Sequence, residues 1–143
     1  MNGKLLGVDY GDVRTGLAVS DPSGLIATGI GTIRPGGMRH TAVAVAEAAR
    51  ERACAGIVIG LPKNMDGSEG FRAETVRAFV ALLGEETDLP LTLFDERLST
   101  VEAHRMMDFT GTHGKKRRDT IDTLSAQIIL QDYLDKARRT SGT

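Results

Sequence analysis

The first third of the chain is a series of short apolar runs separated by turn-forming residues. Residues 4–10, 14–20 and 25–33 are mainly apolar, and Gly, Asp, Pro and Ser lie between them. Turn formers between runs of this length are typical of hairpins, so each run is predicted to be a strand. The three strands are expected to form an antiparallel meander.

The middle of the chain changes to longer segments with a different pattern. Residues 40–53 are rich in alanine and predict a helix, although Val43 and Val45 weaken that prediction. The continuous apolar run 56–61 predicts a strand covered on both faces, and residues 62–70 are expected to be a loop. Helices and strands therefore begin to alternate here.

A helix is predicted over residues 71–83, where apolar side chains recur at i, i+3, i+4 and i+7 and Gly84 is placed to end the helix. Residues 91–94 form the next apolar run and predict a fifth strand. Ser99 and Glu102 have the spacing of a capping box and predict the start of another helix.

The last predicted helix covers residues 119–136 and follows a loop expected over 110–118. The predicted order is three strands, a helix, a strand, a helix, a strand and two helices. This order indicates an α/β fold with a mixed five-stranded sheet, made of a three-strand antiparallel meander plus two strands and flanked by helices. The length of 143 residues suits one domain, residues 1–143.

The composition is that of a globular protein. Hydrophobic residues are 41% and charged residues 26% of the chain, and no apolar run approaches a membrane span. The one cysteine, Cys54, is expected to be a buried structural thiol at the end of a helix. With no secretory leader in view, a reducing, cytoplasmic setting without a membrane partner is expected.

Four acidic residues lie at the ends of predicted strands or at the start of a predicted helix. A solvated surface acid would have no need to lie at these positions. Asp9 ends the first predicted strand, Asp95 and Glu96 end the fifth, and Asp122 lies in the first turn of the last helix. Functional groups of α/β sheets collect beyond the carboxyl ends of strands. Positions i+4, i+7 and i+11 from Asp122 are Ala126, Ile129 and Tyr133, so this face of the helix is expected to pack inward.

Each acid also has a structural interpretation. Asp119 and Asp122 have the spacing of an N-cap and a helix-dipole partner. Asp95 or Glu96 could instead pair with Arg97, and one of the two is expected to be structural.

If these acids lie close together in the fold, their negative charges require a bound cation. Carboxylates that share one point repel one another unless a cation neutralises them, and Mg²⁺ or Mn²⁺ prefers such oxygen ligands. Two ions about 4 Å apart can activate water and stabilise the leaving oxygen of a phosphodiester. Zinc is disfavoured because the three histidines, at positions 40, 104 and 113, show no paired ligand spacing.

The opening motif, LGVDYGDVRTGLAVSD, resembles two kinds of domain. One is the first hairpin of the RNase H-like superfamily, and the other is the first phosphate loop of the actin, hexokinase and Hsp70 ATPases. Those ATPases need two such domains with a nucleotide between them, which 143 residues do not supply. The chain also has no Walker-type GxxxxGK[ST] motif.

Three further stretches narrow the resemblance to the YqgF (RuvX) family. They are IVIGLPKNMDGSEG at 57–70, FDERLSTVEA at 94–103 and IDTLSAQIILQDYLD at 121–135. The resemblance covers nearly the whole chain and implies an RNase H-like fold with catalytic acids at Asp9, Glu96 and Asp122. Asp95 lies in the same motif and is an additional candidate metal ligand.

Several basic and polar residues are candidates for substrate binding. Arg14 lies on the predicted second strand, where it is either a contact for the acids or a phosphate or only a surface cation. Lys63 and Asn64 lie in the loop after the fourth strand, where Asp66 and Gly67 suggest turn chemistry. Net charge is −1, but the basic residues are unevenly placed. Four of them, Lys115, Lys116, Arg117 and Arg118, precede the helix of Asp122 and are expected to grip a nucleic-acid backbone or to be a solvated loop.

The sequence thus favours a metal-dependent nuclease of structured nucleic acid that uses Mg²⁺ or Mn²⁺. The resemblance implies processing of the 5′ end of pre-16S rRNA, with ribosome-assembly partners. One alternative is a DNA endonuclease that resolves Holliday junctions, which would require a dimer. The other is a non-catalytic module that binds nucleic acid or ribosome precursors. Aromatic residues are only 4% of the chain, so base stacking is not expected to be the main means of binding.

Overall fold

The computed structural model describes the backbone of residues 3–98 and 115–140, and the side chains of 3–97 and 123–139. The elements along the chain are β1 (Lys4–Asp9), β2 (Thr15–Ser20), β3 (Ala27–Ile33), α1 (Met38–Glu51), β4 (Cys54–Leu61), α2 (Phe71–Glu86), β5 (Leu91–Asp95), a 3₁₀ turn (Glu96–Leu98) and α3 (Lys115–Thr140). The helix predicted to begin at Ser99 lies outside the described residues. No described helix has the length and apolar character needed to cross a membrane.

The sheet has five strands in the order β3-β2-β1-β4-β5. β1 pairs antiparallel with β2, and β2 with β3, which confirms the predicted meander. β1 and β4 are parallel, as are β4 and β5. The strands β1, β4 and β5 therefore end at one edge of the sheet, called the carboxyl edge below, at Asp9, Leu61 and Asp95. The predicted mixed sheet with flanking helices is confirmed.

Alternation along β1 assigns its side chains to the two faces of the sheet. Leu6 and Val8 belong to the larger core, which includes buried residues of α1 and α2. Leu5 belongs to the second core, with Ala126 and Leu130 of α3. Positions 5, 7 and 9 of β1 therefore face α3.

Glycines let α3 approach the sheet closely. A Cβ atom on Gly7 would lie 2.7 Å from Cβ of Leu130 and 3.2 Å from the carbonyl oxygen of Ala126. A Cβ atom on Gly29 of β3 would collide with the Thr123 side chain. Because these positions carry no side chain, the helix backbone can lie almost directly on β1 and β3.

Two glutamine side chains fix the direction of α3. The amide N–H of Ala27 donates to Oε1 of Gln131 at 2.9 Å, and that of Gly29 donates to Oε1 of Gln127 at 3.3 Å. Ala27 pairs with Ser20, at the end of β2 remote from the carboxyl edge, whereas Gly29 lies nearer to that edge. The helix therefore approaches the carboxyl edge as residue numbers decrease, and the backbone of residue 122 lies toward it.

Several predicted boundaries are wrong in instructive ways. α3 begins at Lys115, so the basic run is helical and not a loop. Lys and Arg are good helix formers, and nothing between residues 115 and 119 breaks a helix. α2 continues through Gly84 to Glu86. Cys54 is buried as predicted, but it begins β4, since α1 ends at Glu51.

Candidate active site

Asp9 is a buried acid at the carboxyl edge. It is the last residue of β1, and the alternation of that strand directs it to the face covered by α3. Only 5% of Asp9 is exposed. An ordinary surface carboxylate is solvated, so burial at a strand end makes Asp9 a candidate for chemistry.

Glu96 reaches the same face from two strands away. It follows β5 and opens the 3₁₀ turn, and only 6% of it is exposed. A Cβ atom on Gly60 of β4 would lie 2.9 Å from Oε2 of Glu96, so the carboxylate rests against the bare backbone of that glycine. Gly60 follows Ile59, the residue that pairs with Val8 of β1. The Glu96 carboxylate therefore lies over β4 at the level of Asp9.

The third predicted acid can be placed by its backbone alone. Residue 122 lies one helical turn before Ala126, whose carbonyl oxygen faces Gly7 of β1. Ala126 and Ile129 are fully buried and Tyr133 is partly buried, which confirms the predicted inward face. The backbone of residue 122 is thus on the same side of the sheet as Asp9 and toward the same edge. Its side chain lies outside those described.

The donor set at this edge suits a hard divalent cation. Two nearly buried carboxylates on one face repel each other when both are ionised, and a bound cation removes that cost. Among the side chains described, no three of the types His, Cys, Asp and Glu lie close enough together to hold a metal ion. Asp122 is not among those side chains, so the predicted set of three stays a prediction.

Asp95 turns away from Glu96 and binds Arg97. Phe94 belongs to the core under α3 and Leu93 to the opposite core, so Asp95, two residues from Leu93, faces away from α3. Nη2 of Arg97 lies 2.7 Å from Oδ2 of Asp95, and the backbone N–H of Arg97 donates to Oδ1 at 2.9 Å. These bonds lower the pKa of Asp95 and raise that of Arg97. Of the two neighbouring acids Asp95 and Glu96, it is therefore Asp95 that pairs with Arg97, as the structural interpretation of the sequence allowed.

The loop between β4 and α2 is folded on itself. The side chain of Asp66 accepts hydrogen bonds from the backbone N–H of Ser68 at 2.9 Å and from its hydroxyl at 2.6 Å. Gly67 has a φ of 91°, so this turn needs glycine. The predicted turn role of Asp66 and Gly67 is confirmed. Nη1 of Arg97 donates to the Met65 carbonyl oxygen at 3.4 Å, which ties this loop to the end of β5.

The candidate substrate-binding residues differ in how near the structure places them to the carboxyl edge. Arg14 is half-buried and directly precedes β2, in the turn after Asp9. Lys63 follows β4, and its positive charge helps to lower the pKa of Asp95. Nδ2 of Asn64 donates to the Ser68 hydroxyl at 3.0 Å, so this amide also holds the loop. The four basic residues 115–118 form the start of α3, about 6 to 10 Å along the helix axis before residue 122, with side chains outside those described.

Replacing Arg97 with Ala is expected to loosen the loop over residues 62–70 while the sheet stays folded. The variant loses both the Asp95 bonds and the tie to Met65, so amide hydrogen exchange should accelerate from Asn64 to Ser68. Arg39→Ala, which removes exposed ion pairs with Glu85 and Glu86 at the far end of α2, is the matched control. Unchanged exchange in the loop of Arg97→Ala would contradict this role.

The same link should depend on pH in the acid range. Because Arg97 lowers the pKa of Asp95 in the folded protein, the interaction contributes fully above the unfolded pKa of about 3.9. It is lost as the pH falls below that value through the lower folded pKa. In acid, amide hydrogen exchange in the wild-type loop, corrected for intrinsic exchange rates, should therefore approach the exchange in the Arg97→Ala loop.

Comparison with known proteins gives a family match and a fold match. The sequence profile described as "RuvX: Holliday junction resolvase" matches residues 3–136. A protein of Ruegeria named "Putative pre-16S rRNA nuclease" is 44% identical over 134 residues, which cover 94% of this chain and 85% of that protein. A Bradyrhizobium protein of the same name is 45% identical, over 94% of this chain and 83% of its own.

Among solved structures, "T. thermophilus RuvC in complex with Holliday junction substrate" superposes with a TM-score of 0.61. The alignment covers 97% of each chain at 13% sequence identity. At this identity the similarity shows the fold alone, which is that of T. thermophilus RuvC.

Proposed function

Since the chain belongs to the RuvX family, we propose that it is a nuclease that hydrolyses phosphodiester bonds of structured nucleic acid. The observation that carries the proposal is the burial of Asp9 and Glu96 on one face of one sheet edge. Glu96 gains that position only because Gly60 leaves room for its carboxylate.

The proposed catalytic acids are Asp9, Glu96 and Asp122, and the proposed cofactor is Mg²⁺ or Mn²⁺ held by their oxygens. When bound, such ions activate water and stabilise the developing charge on the phosphate and the leaving oxygen. Asp95 is not placed in this set, because its carboxylate is occupied by Arg97. Its proposed role is to hold the loop that carries Lys63.

The proposed substrate is precursor rRNA, because the similar proteins of Ruegeria and Bradyrhizobium carry the pre-16S rRNA nuclease name. Arg14, Lys63 and the basic start of α3 would contact backbone phosphates on the way to the acids. The family description also names the resolution of Holliday junctions, so branched DNA is the second candidate. That activity would require a dimer that presents two sites to two strands.

Cleavage assays on three substrates separate these functions. Pre-16S rRNA fragments, a four-way DNA junction and a plain duplex are incubated with Mg²⁺, with Mn²⁺ and with EDTA. We expect cleavage of the rRNA fragment near its 5′ side with either ion and none in EDTA. If only the four-way junction is cleaved, and by paired cuts, the result would favour the Holliday junction resolvase.

A lack of cleavage of every substrate, together with tight binding that EDTA does not affect, would contradict the nuclease. It would leave the non-catalytic binding module in its place. Binding of rRNA precursors to that module should fall steeply with salt, since phosphate contacts release counterions.

A further inference from the structure

A small cavity lies on the other face of the sheet, directly behind the candidate acids. Its volume is about 170 Å³, and its walls include Tyr10 and Asp12 after β1, Pro62 after β4, and Phe71 and Arg72 at the start of α2. Tyr10 follows Asp9 in the chain and packs against the opposite core from α3. The cavity and Asp9 therefore lie on opposite sides of the end of β1.

The cavity presents one exposed aromatic ring and one packed aromatic ring. Phe71 is 78% exposed, whereas Phe79 and Phe94 are buried in the two cores. Tyr10 is held in place by stacking on Phe79, with ring centroids 4.4 Å apart. An exposed phenyl ring at a cavity wall is costly to leave in water and is a good platform for a flat partner.

The polar groups of the cavity suit a phosphate that lies next to a flat group stacked on Phe71. Arg72 supplies a positive charge at its wall. No side chain caps the N-terminus of α2, where Gly70 is the N-cap residue, so its first N–H groups have no side-chain acceptor. Asp12, also at the wall, is negative, which favours placing the phosphate near Arg72 rather than across the whole cavity.

We propose that this cavity binds one unpaired nucleotide of the substrate, with its base stacked on Phe71 and its phosphate toward Arg72. The inference rests on the proposed nuclease function and adds a substrate feature to it. A strand that crosses the carboxyl edge at Asp9 would have the scissile phosphate on the α3 side and the neighbouring nucleotide on the α2 side. The enzyme would then prefer an unpaired nucleotide beside the cleavage site over a continuous duplex.

The test measures binding apart from cleavage. Asp9→Asn protein is titrated with a duplex carrying a single-stranded extension that contains the fluorescent base 2-aminopurine, and with the same duplex without the extension. Stacking on an aromatic ring is expected to quench the 2-aminopurine. Adding Phe71→Ala should weaken binding of the extended substrate about 5- to 100-fold and remove the quenching. Binding of the blunt duplex should be unchanged.

Two further variants, each in the Asp9→Asn protein, control for general effects. Phe71→Trp should retain the quenching and the affinity because it keeps an aromatic platform. Ile26→Ala is the matched control, since Ile26 is also an exposed apolar side chain, 60% exposed, but lies in the turn between β2 and β3. It should change neither measurement.

Equal loss of affinity for both substrates, or full affinity for the extended substrate in Phe71→Ala, would overturn the nucleotide site. Failure of this site is distinguishable from failure of the nuclease proposal. If the wild type cleaves and Phe71→Ala binds normally, only the nucleotide site is wrong. If the wild type cleaves nothing but Phe71→Ala loses the quenching, the nucleotide site stands and the nuclease is wrong.

Discussion

Asp9→Asn is expected to lower the cleavage rate on the order of a thousandfold while the protein stays folded. Asparagine has nearly the shape of aspartate, so the end of β1 should keep its conformation. The substitution removes a negative charge that the proposed cation needs, and carboxylate oxygens bind Mg²⁺ far better than an amide does. The rate is measured on the rRNA fragment at saturating Mg²⁺, and folding by circular dichroism and thermal unfolding.

Asp88→Asn is the matched control for that substitution. Asp88 is an exposed acid just before β5, at the other end of the strand from Glu96. The control makes the same chemical change and should cleave like the wild type. An Asp9→Asn protein that cleaves within a few fold of the wild type would contradict the assignment of Asp9.

Gly7→Ala is expected to lower the free energy of unfolding by about 1–3 kcal/mol. The added methyl group would lie 2.7 Å from Cβ of Leu130, an atom that no rotamer change can move. Relief requires α3 to move away from β1, and α3 carries residue 122. Cleavage should therefore fall as well, even at temperatures where the variant is fully folded. Urea unfolding and the cleavage assay measure the two effects.

Gly84→Ala makes the same change where the structure allows it. Gly84 is exposed within α2, and an added Cβ atom would meet only Cδ1 of Leu91 at 3.8 Å, an ordinary contact. Alanine favours a helix over glycine, so this variant should gain roughly 0.5–1 kcal/mol. Equal effects of the two substitutions would show that the close approach of α3 to β1 is not important.

The strand pattern and the position of Asp9 at the end of β1 could be read from the sequence. Apolar runs of four to nine residues between turn formers give strands because each run can bury one face or both. Leu5 to Val8 is continuous because both faces of β1 are covered, by α1 and α2 on one side and α3 on the other. A carboxylate directly after such a run has to sit at the edge of the sheet.

The different directions of Asp95 and Glu96 could not be read from the sequence. Neighbouring residues at the end of a strand face opposite sides, but which side carries α3 depends on how the whole chain folds. The run GIVIGL did contain a signal, because Gly60 interrupts an apolar strand and such a glycine often marks a close approach. The atom that approaches it, Oε2 of Glu96, is set by the tertiary structure.

Two other features became visible only in three dimensions. Arg97 was a possible partner of an adjacent acid, but its bond to the Met65 carbonyl joins segments more than 30 residues apart. Phe71 looked like an ordinary first residue of an amphipathic helix. Its exposure, and the cavity beside it, follow from the turn after β1 lying opposite the start of α2.

The proposed nuclease requires the carboxylates of residues 9, 96 and 122 to meet at one point. A crystal structure of the protein soaked in Mn²⁺, with the anomalous signal used to locate the ion, shows whether they do. We predict a peak within about 2.0–2.3 Å of oxygens from Asp9, Glu96 and Asp122. An ordered Asp122 side chain that points away from Asp9 and Glu96, with the ion absent or bound elsewhere, would contradict the account.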